Sequence, residues 1–138
     1  MPKIVAFADK AALMKAAAER IATAIREAIA KRGGACIALS GGSTPEPAYQ
    51  LLAAAPLEWS KVTFALVDER FVPPSDPASN EGMIKRALAP AFARGAQFKP
   101  LFFAADSVEL AALSADAQYA HLEIDFAVMG MGEDGHTA

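Results

Sequence analysis

Three short segments of this 138-residue chain carry side chains suited to holding an anion and moving a proton. In "LSGGSTPEPAYQLL", Gly41 and Gly42 separate an apolar run from a prospective helix start, and Ser43 and Thr44 add hydroxyls. Glycine permits positive φ and lets the backbone approach a ligand closely. A helix N-terminus supplies unpaired N–H groups and the positive end of the helix dipole. Together these can hold a phosphate without the lysine-bearing Walker motif, which the chain lacks. A tight turn in which Thr44 only caps the helix would use the same residues.

The second segment is Asp68-Glu69-Arg70, directly after the apolar "FALV". Hydration of a strand end accounts for three successive charges. A ligand accounts for them equally well: Arg70 offers a guanidinium fork that matches oxygen pairs, and Asp68 can accept sugar hydroxyls or hold Arg70 in place. Pro73, Pro74 and Pro77 stiffen the loop that follows. Ser79 and Asn80, at the next helix start, can contact a ligand or pin that loop.

The third segment, "VMGMGEDGHTA", contains a literal G-x-G-x-x-G from Gly130 to Gly135. A dinucleotide turn is a poor reading. Glu133 and Asp134 would repel a pyrophosphate, and the following helix and downstream acidic residue of that fingerprint are not present. Asp134-Gly135-His136 is the better centre. Histidine is the side chain best matched to general-base work near neutral pH, and a nearby carboxylate can orient the ring and stabilise its protonated form. A surface histidine is the plain alternative, and His121, on a helix, is assigned to it. No H-x-x-x-H or cysteine pair suggests a metal site.

Composition narrows the class. The chain is 54% hydrophobic and 21% charged with net charge −3, a globular balance without the basic cluster of a nucleic-acid binder. The lone Cys36 lies in an apolar run and reads as a small buried hydrophobe. No signal peptide is recognisable and no apolar run reaches the ~18 residues of a membrane span. The expectation is a cytoplasmic protein that does not engage membranes.

The elements that must position these segments alternate. Residues 3–7 are β-prone. Asp9 can cap a helix running to about Lys31, with Leu13, Ala17, Ile21, Ile25 and Ile29 as its apolar stripe and Gly33-Gly34 as its stop. Residues 35–40 read as a buried strand. Thr44 can cap a helix with Pro45 at its first position, running towards Ala53. A strand over 61–69 follows, then a helix capped by Ser79 through Leu88, and a weaker strand over 98–103. Asp106 can cap a helix burying Val108, Leu110, Leu113, Ala117 and Ala120, and the last strand spans 125–130. Alternation of this kind predicts an α/β fold with a mostly parallel sheet. Ligands of such sheets bind outside the carboxyl ends of the strands, where all three segments fall.

Taken in order, "LSGGSTPEPAYQLL", "VDERFVPPSDPASNEGMIKRAL" and "DFAVMGMGEDGHTA" closely resemble the 6-phosphogluconolactonase family over nearly the whole chain. The resemblance implies a three-layer αβα fold with a Rossmann-like sheet. It implies hydrolysis of the sugar-phosphate 6-phosphogluconolactone to 6-phosphogluconate, in the pentose phosphate pathway, with no metal and no organic cofactor. Gly41, Gly42, Ser43 and Thr44 would lie at the phosphate, Asp68 and Arg70 would line the sugar site, His136 would activate water, and Asp134 would support its loop. The similar glucosamine-6-phosphate deaminases typically carry a tyrosine after the Asp-Glu pair and an apolar residue after the histidine. Arg70-Phe71-Val72-Pro73 and His136-Thr137-Ala138 are closer to the lactonases.

The family domain continues beyond Gly-His-Thr-Ala with Ser-Leu-Phe-Pro-Gly and further strands and helices that bring basic residues to the phosphate. The expectation is therefore that residues 1–138 are the N-terminal portion of one such domain, with a sheet incomplete at its C-terminal end. Two other activities stay open on this pattern: a deaminase-isomerase on the same scaffold, and a sugar-phosphate-binding fragment without catalysis.

Overall fold

The computed structural model describes residues 2–138. Five helices and four strands alternate along them: α1 (Lys10–Arg32), β1 (Ala35–Leu39), α2 (Glu46–Ala53), β2 (Val62–Leu66), α3 (Asn80–Ala87), α4 (Ala89–Ala93), β3 (Gln97–Phe98), α5 (Val108–Tyr119) and β4 (Phe126–Ala127). The sheet is parallel, in the order β3-β2-β1-β4. The α/β reading and the parallel sheet hold. The chain steps outward from β1 through β2 to β3, then returns past β1 to β4. Right-handed crossovers therefore put α2, α3 and α4 on one face of the sheet and α5 on the other.

The two faces differ in side-chain size. Ala35, Ile37 and Leu39 of β1 and Val62, Phe64 and Leu66 of β2 join α1 through α4 in one core cluster, with Tyr49, Leu52, Trp59, Ile84 and Leu88 almost wholly enclosed. The alternate positions, Cys36, Ala38, Thr63 and Ala65, are small. Helix α5 meets that side with alanines, Ala111 and Ala115 being its buried residues. Val108, Leu110 and Leu113, expected inside, are 51–67% exposed, and Ala117 and Ala120 are exposed as well. A sheet face of small side chains accepts a small-residue helix face, so composition along α5 was a poor guide to its buried side.

Local expectations fared unevenly. Asp9 caps α1 by accepting from the Ala12 N–H at 2.8 Å, and Ser79 caps α3 by accepting from the Gly82 N–H at 3.1 Å. The stripe on α1 is only partly right: Ile21 and Ile25 are buried, but Leu13 is 40% exposed and Met14, Ala18, Ala22 and Ala28 take its place. A row spaced by four residues drifts about 40° per step around a helix of 3.6 residues per turn, so its ends leave the buried face. Thr44 does not cap α2; Pro45 stands at that position without a side-chain bond. Of the two N–H groups that a Thr44 cap could use, two and three residues on, Pro47 lacks its own and only that of Glu46 remains. Ser107, not Asp106, caps α5, accepting from the Leu110 N–H at 3.2 Å.

Residues 3–7 form no strand, and Ile4 is 94% exposed. They join neither edge of the described sheet, which ends in β3 and β4. Residues 98–103 give only the two-residue β3, extended by the Lys99 N–H to the Phe64 carbonyl at 2.8 Å. Pro100 has no N–H to continue the ladder. The Tyr119 hydroxyl fills the gap there, accepting from the Leu66 N–H at 2.9 Å and donating to the Lys99 carbonyl at 2.7 Å. Burial pushes this phenol up to about 12, so it remains a donor throughout the neutral range.

At the other edge, Asp125 ties β4 to the end of α1. Its carboxylate accepts from Arg32 at 2.6 and 3.0 Å and from the Cys36 N–H at 2.8 Å. The Arg32 guanidinium is the main cause of an Asp125 carboxyl held below its ordinary range; burial opposes this and the Cys36 N–H adds to it. A lowered folded pKa gives stability that is full above the ordinary carboxyl value of ~3.9 and is lost as pH falls through the folded value. Asp125→Asn is expected to remove about 1–2 kcal/mol at neutral pH. Urea unfolding as a function of pH checks this: the variant's deficit should vanish under acid conditions. An equal deficit at pH 2 and pH 7 would rule the ion pair out as its source.

Cys36 is buried, as expected of a small hydrophobe. Burial pushes its thiol up, and the Asp125 carboxylate adds to the shift. In native protein at pH 8 the thiol should resist alkylation by iodoacetamide and react only after unfolding, which mass spectrometry would read directly.

Candidate functional site

The carboxyl ends of β1, β2 and β4 open onto one cavity of about 390 Å³. Gly41, Gly42, Thr44, Asp68, Arg70 and His136 all line it. Residues from three loops, distant in sequence, are thus brought together on one rim. Ser43 and Asp134 are not on the wall. The floor is apolar, from Leu13, Met14, Ala17 and Ile21 of α1. Among the described residues that line the cavity, Arg70 is the only lysine or arginine.

The first loop leaves β1 at Ser40, whose carbonyl accepts from the buried Tyr49 hydroxyl at 2.7 Å. That bond anchors α2 to the strand end and fixes the span between them. Burial pushes the Tyr49 phenol up to about 12, which keeps it a donor. Gly42 has φ of +93°, a turn that side chains rarely adopt, and a Cβ there would meet only open space. Gly41 is constrained differently: a Cβ on it would overlap the side-chain amide of Asn80. The glycine makes room for a neighbouring side chain, a role that the sequence reading did not assign to it.

The second loop is pinned by Glu69, a residue that the sequence reading left without a role. Its carboxylate accepts from the N–H groups of Arg70, Asn80 and Glu81, each at 2.8 Å, and from the Ser79 hydroxyl at 3.5 Å. One carboxylate therefore closes the loop of residues 70–79 and caps α3. Arg70 donates to the Ala78 carbonyl at 2.7 Å; no contact with Asp68 holds it. Asn80 is 4% exposed and donates to the Asp68 carbonyl at 3.1 Å and to its carboxylate at 3.4 Å.

The third loop is a small hairpin. Met131 bridges Thr137 antiparallel, and Gly130 and Ala138 exchange backbone bonds at 2.7 and 2.9 Å. The Gly132 N–H meets the His136 carbonyl at 2.7 Å. The glycines of the G-x-G-x-x-G thus build a turn that folds back, with Gly135 at φ +85°. Asp134 accepts from the His136 backbone N–H at 3.0 Å, so it supports the loop. The carboxylate facing the imidazole is instead Asp68, with Oδ2 at 3.9 Å from Nε2. Among the described residues no group of three or more His, Cys, Asp or Glu side chains is gathered as a metal ion would require. No described helix is long and apolar enough to cross a membrane.

A family model described as glucosamine-6-phosphate isomerases/6-phosphogluconolactonase matches residues 8–138. A 6-phosphogluconolactonase of Mesorhizobium japonicum is 47% identical over 135 residues, covering 96% of this chain and 57% of its own. One of Pseudomonas putida is 44% identical over 137 residues, covering 99% and 57%. The crystal structure of a 6-phosphogluconolactonase from Shewanella baltica superposes with a TM-score of 0.89 at 37% identity, covering 95% of this chain and 57% of that one. The chain thus spans a little over half the length of the relatives it matches.

Proposed function

This chain belongs to the glucosamine-6-phosphate isomerase/6-phosphogluconolactonase family, and from that premise we propose that it serves the hydrolysis of 6-phosphogluconolactone to 6-phosphogluconate. One observation carries the reading: His136 stands on the same cavity as the Gly42–Thr44 turn and Arg70, with its Nε2 towards the Asp68 carboxylate.

Each part has a task in that reaction. The turn of residues 42–44, at the start of α2, receives the phosphate with backbone N–H groups and the helix dipole. Arg70 faces the sugar or its carbonyl oxygen with a fixed positive charge. His136 takes a proton from water as the water oxygen bonds to the lactone carbonyl carbon. The tetrahedral intermediate collapses by breaking the bond to the ring oxygen, which receives the proton back from the imidazolium. Asp68 stabilises that imidazolium while it exists. A lactone is an activated ester, so a positioned water, a base and a donor for the developing oxyanion suffice.

The test is an assay on freshly prepared 6-phosphogluconolactone, with product followed by a coupled dehydrogenase and spontaneous hydrolysis subtracted. The 138-residue chain is assayed alone and joined to the portion of the Mesorhizobium japonicum relative that it does not match. Turnover above background in either form supports the proposal. Ammonia release from glucosamine 6-phosphate without lactone turnover would replace it with the isomerase reading. Binding of 6-phosphogluconate with neither activity would leave a sugar-phosphate-binding protein.

A further inference from the structure

We propose that Asn80 is a substrate-positioning residue: its Oδ1 is a fixed acceptor for one hydroxyl of the sugar phosphate, at carbon 2, 3 or 4, and Gly41 is glycine to admit it. The inference rests on the reading of the cavity as a sugar-phosphate site and adds a residue and a contact to it.

Asn80 Nδ2 points at two oxygens, the Asp68 carbonyl and carboxylate, and both can only accept. The nitrogen must face them, so the amide cannot be turned over, and Oδ1 is committed to the opposite side. There it lies against Gly41, in the space that a Cβ would fill. Asn80 and Gly41 both line the cavity.

Oδ1 accepts no hydrogen bond from the described residues, although the side chain as a whole is 4% exposed. A buried amide oxygen that is left without a donor is costly, and such groups are paired in nearly all folded proteins. The tryptophan nitrogen Trp59 Nε1 is the one side-chain atom among the described residues that is sealed without a partner. Asn80 Oδ1 is not among such sealed atoms, and its side chain lines the cavity, so a ligand there can supply the missing donor. A neutral acceptor there suits a hydroxyl. It does not suit a phosphate, which offers only acceptors near neutrality apart from a residual proton.

The same side chain joins the loops. Its nitrogen holds Asp68, whose Oδ2 faces His136, and its oxygen lies on the first loop. A hydroxyl seated on Oδ1 is therefore placed in register with the base.

The test pairs protein variants with deoxy substrates. The 2-, 3- and 4-deoxy forms of 6-phosphogluconate are titrated calorimetrically against the wild type, Asn80→Ala and Gly41→Ala, and the corresponding lactones are assayed for KM and kcat. In the wild type, one deoxy form should bind about tenfold more weakly than 6-phosphogluconate, the loss expected for one neutral hydrogen bond. In Asn80→Ala that discrimination should vanish, so that the variant binds both ligands equally. Gly41→Ala keeps the amide but takes its space, and should flatten the preference in the same way. Its unfolding midpoint shows whether the fold has survived. Discrimination among the deoxy forms that persists unchanged in folded variants would overturn the proposal. If neither the chain alone nor its joined form binds 6-phosphogluconate or turns over its lactone, the sugar-phosphate reading itself fails, and the inference with it.

Discussion

Replacing His136 with alanine is expected to lower kcat for lactone hydrolysis by ~10²–10⁴-fold, the range for loss of a positioned base, and to leave KM near its original value. The hairpin that carries His136 is held by backbone bonds between residues 130 and 138 and between 132 and 136, none of which uses the imidazole. Truncation should therefore remove the base and keep its loop. Asp68→Asn should act more weakly and on the same parameter, because in the proposed reaction Asp68 would stabilise the imidazolium without taking the proton itself. Steady-state kinetics on both variants, with background subtracted, decide this. An unchanged kcat in His136→Ala would move the base elsewhere in the protein.

The second large effect belongs to Glu69. Three backbone N–H groups at 2.8 Å and the Ser79 hydroxyl converge on its carboxylate. Hydrogen bonds to a charged acceptor contribute roughly 1.5–3 kcal/mol each and do not add in full. Glu69→Ala should cost about 3 kcal/mol, which for a chain of this size is a drop of about 10 °C in Tm. It should also loosen the loop that carries Arg70, so kcat/KM falls along with stability. Glu69→Gln keeps one accepting oxygen and should fall between the two. Oε1 serves Arg70 and Asn80 while Oε2 serves Ser79 and Glu81, so a glutamine must give up one pair. A Tm for Glu69→Ala within a degree of the wild type would show that water replaces the carboxylate without loss.

These two residues also mark where sequence reasoning works and where it stops. The place of His136 on the cavity was legible because its neighbours in the chain, Asp134 and Gly135, advertise a loop that presents a ring. Asp9 and Ser79 were legible as caps because the bond spans three residues and the pattern lies within one turn. Glu69 was not, because two of its bonds reach to residues 80 and 81, and no local spacing encodes an encounter of that range. The pairing of Gly41 with Asn80 is more remote still, since it depends on the packing of two loops that meet only across the sheet. The buried side of α5 failed for a related reason: what the helix presents is set by the small residues of the strands beneath it. Asp68 was placed in the site from the sequence, but its nearness to the imidazole, in preference to Asp134, came only from the hairpin folding back over the strand ends.

The Leu66 amide has an unusual hydrogen-bond partner for a strand residue. It lies in the second strand of the sheet, where slow exchange with deuterated solvent would ordinarily signal global unfolding. Its partner, however, is the Tyr119 hydroxyl, carried by a helix whose buried residues are two alanines. A helix seated on so little apolar surface can lift away while the main core stays closed. The Leu66 amide should then exchange faster than that of Leu39 or Val67 beside it, making it a built-in reporter of that partial opening.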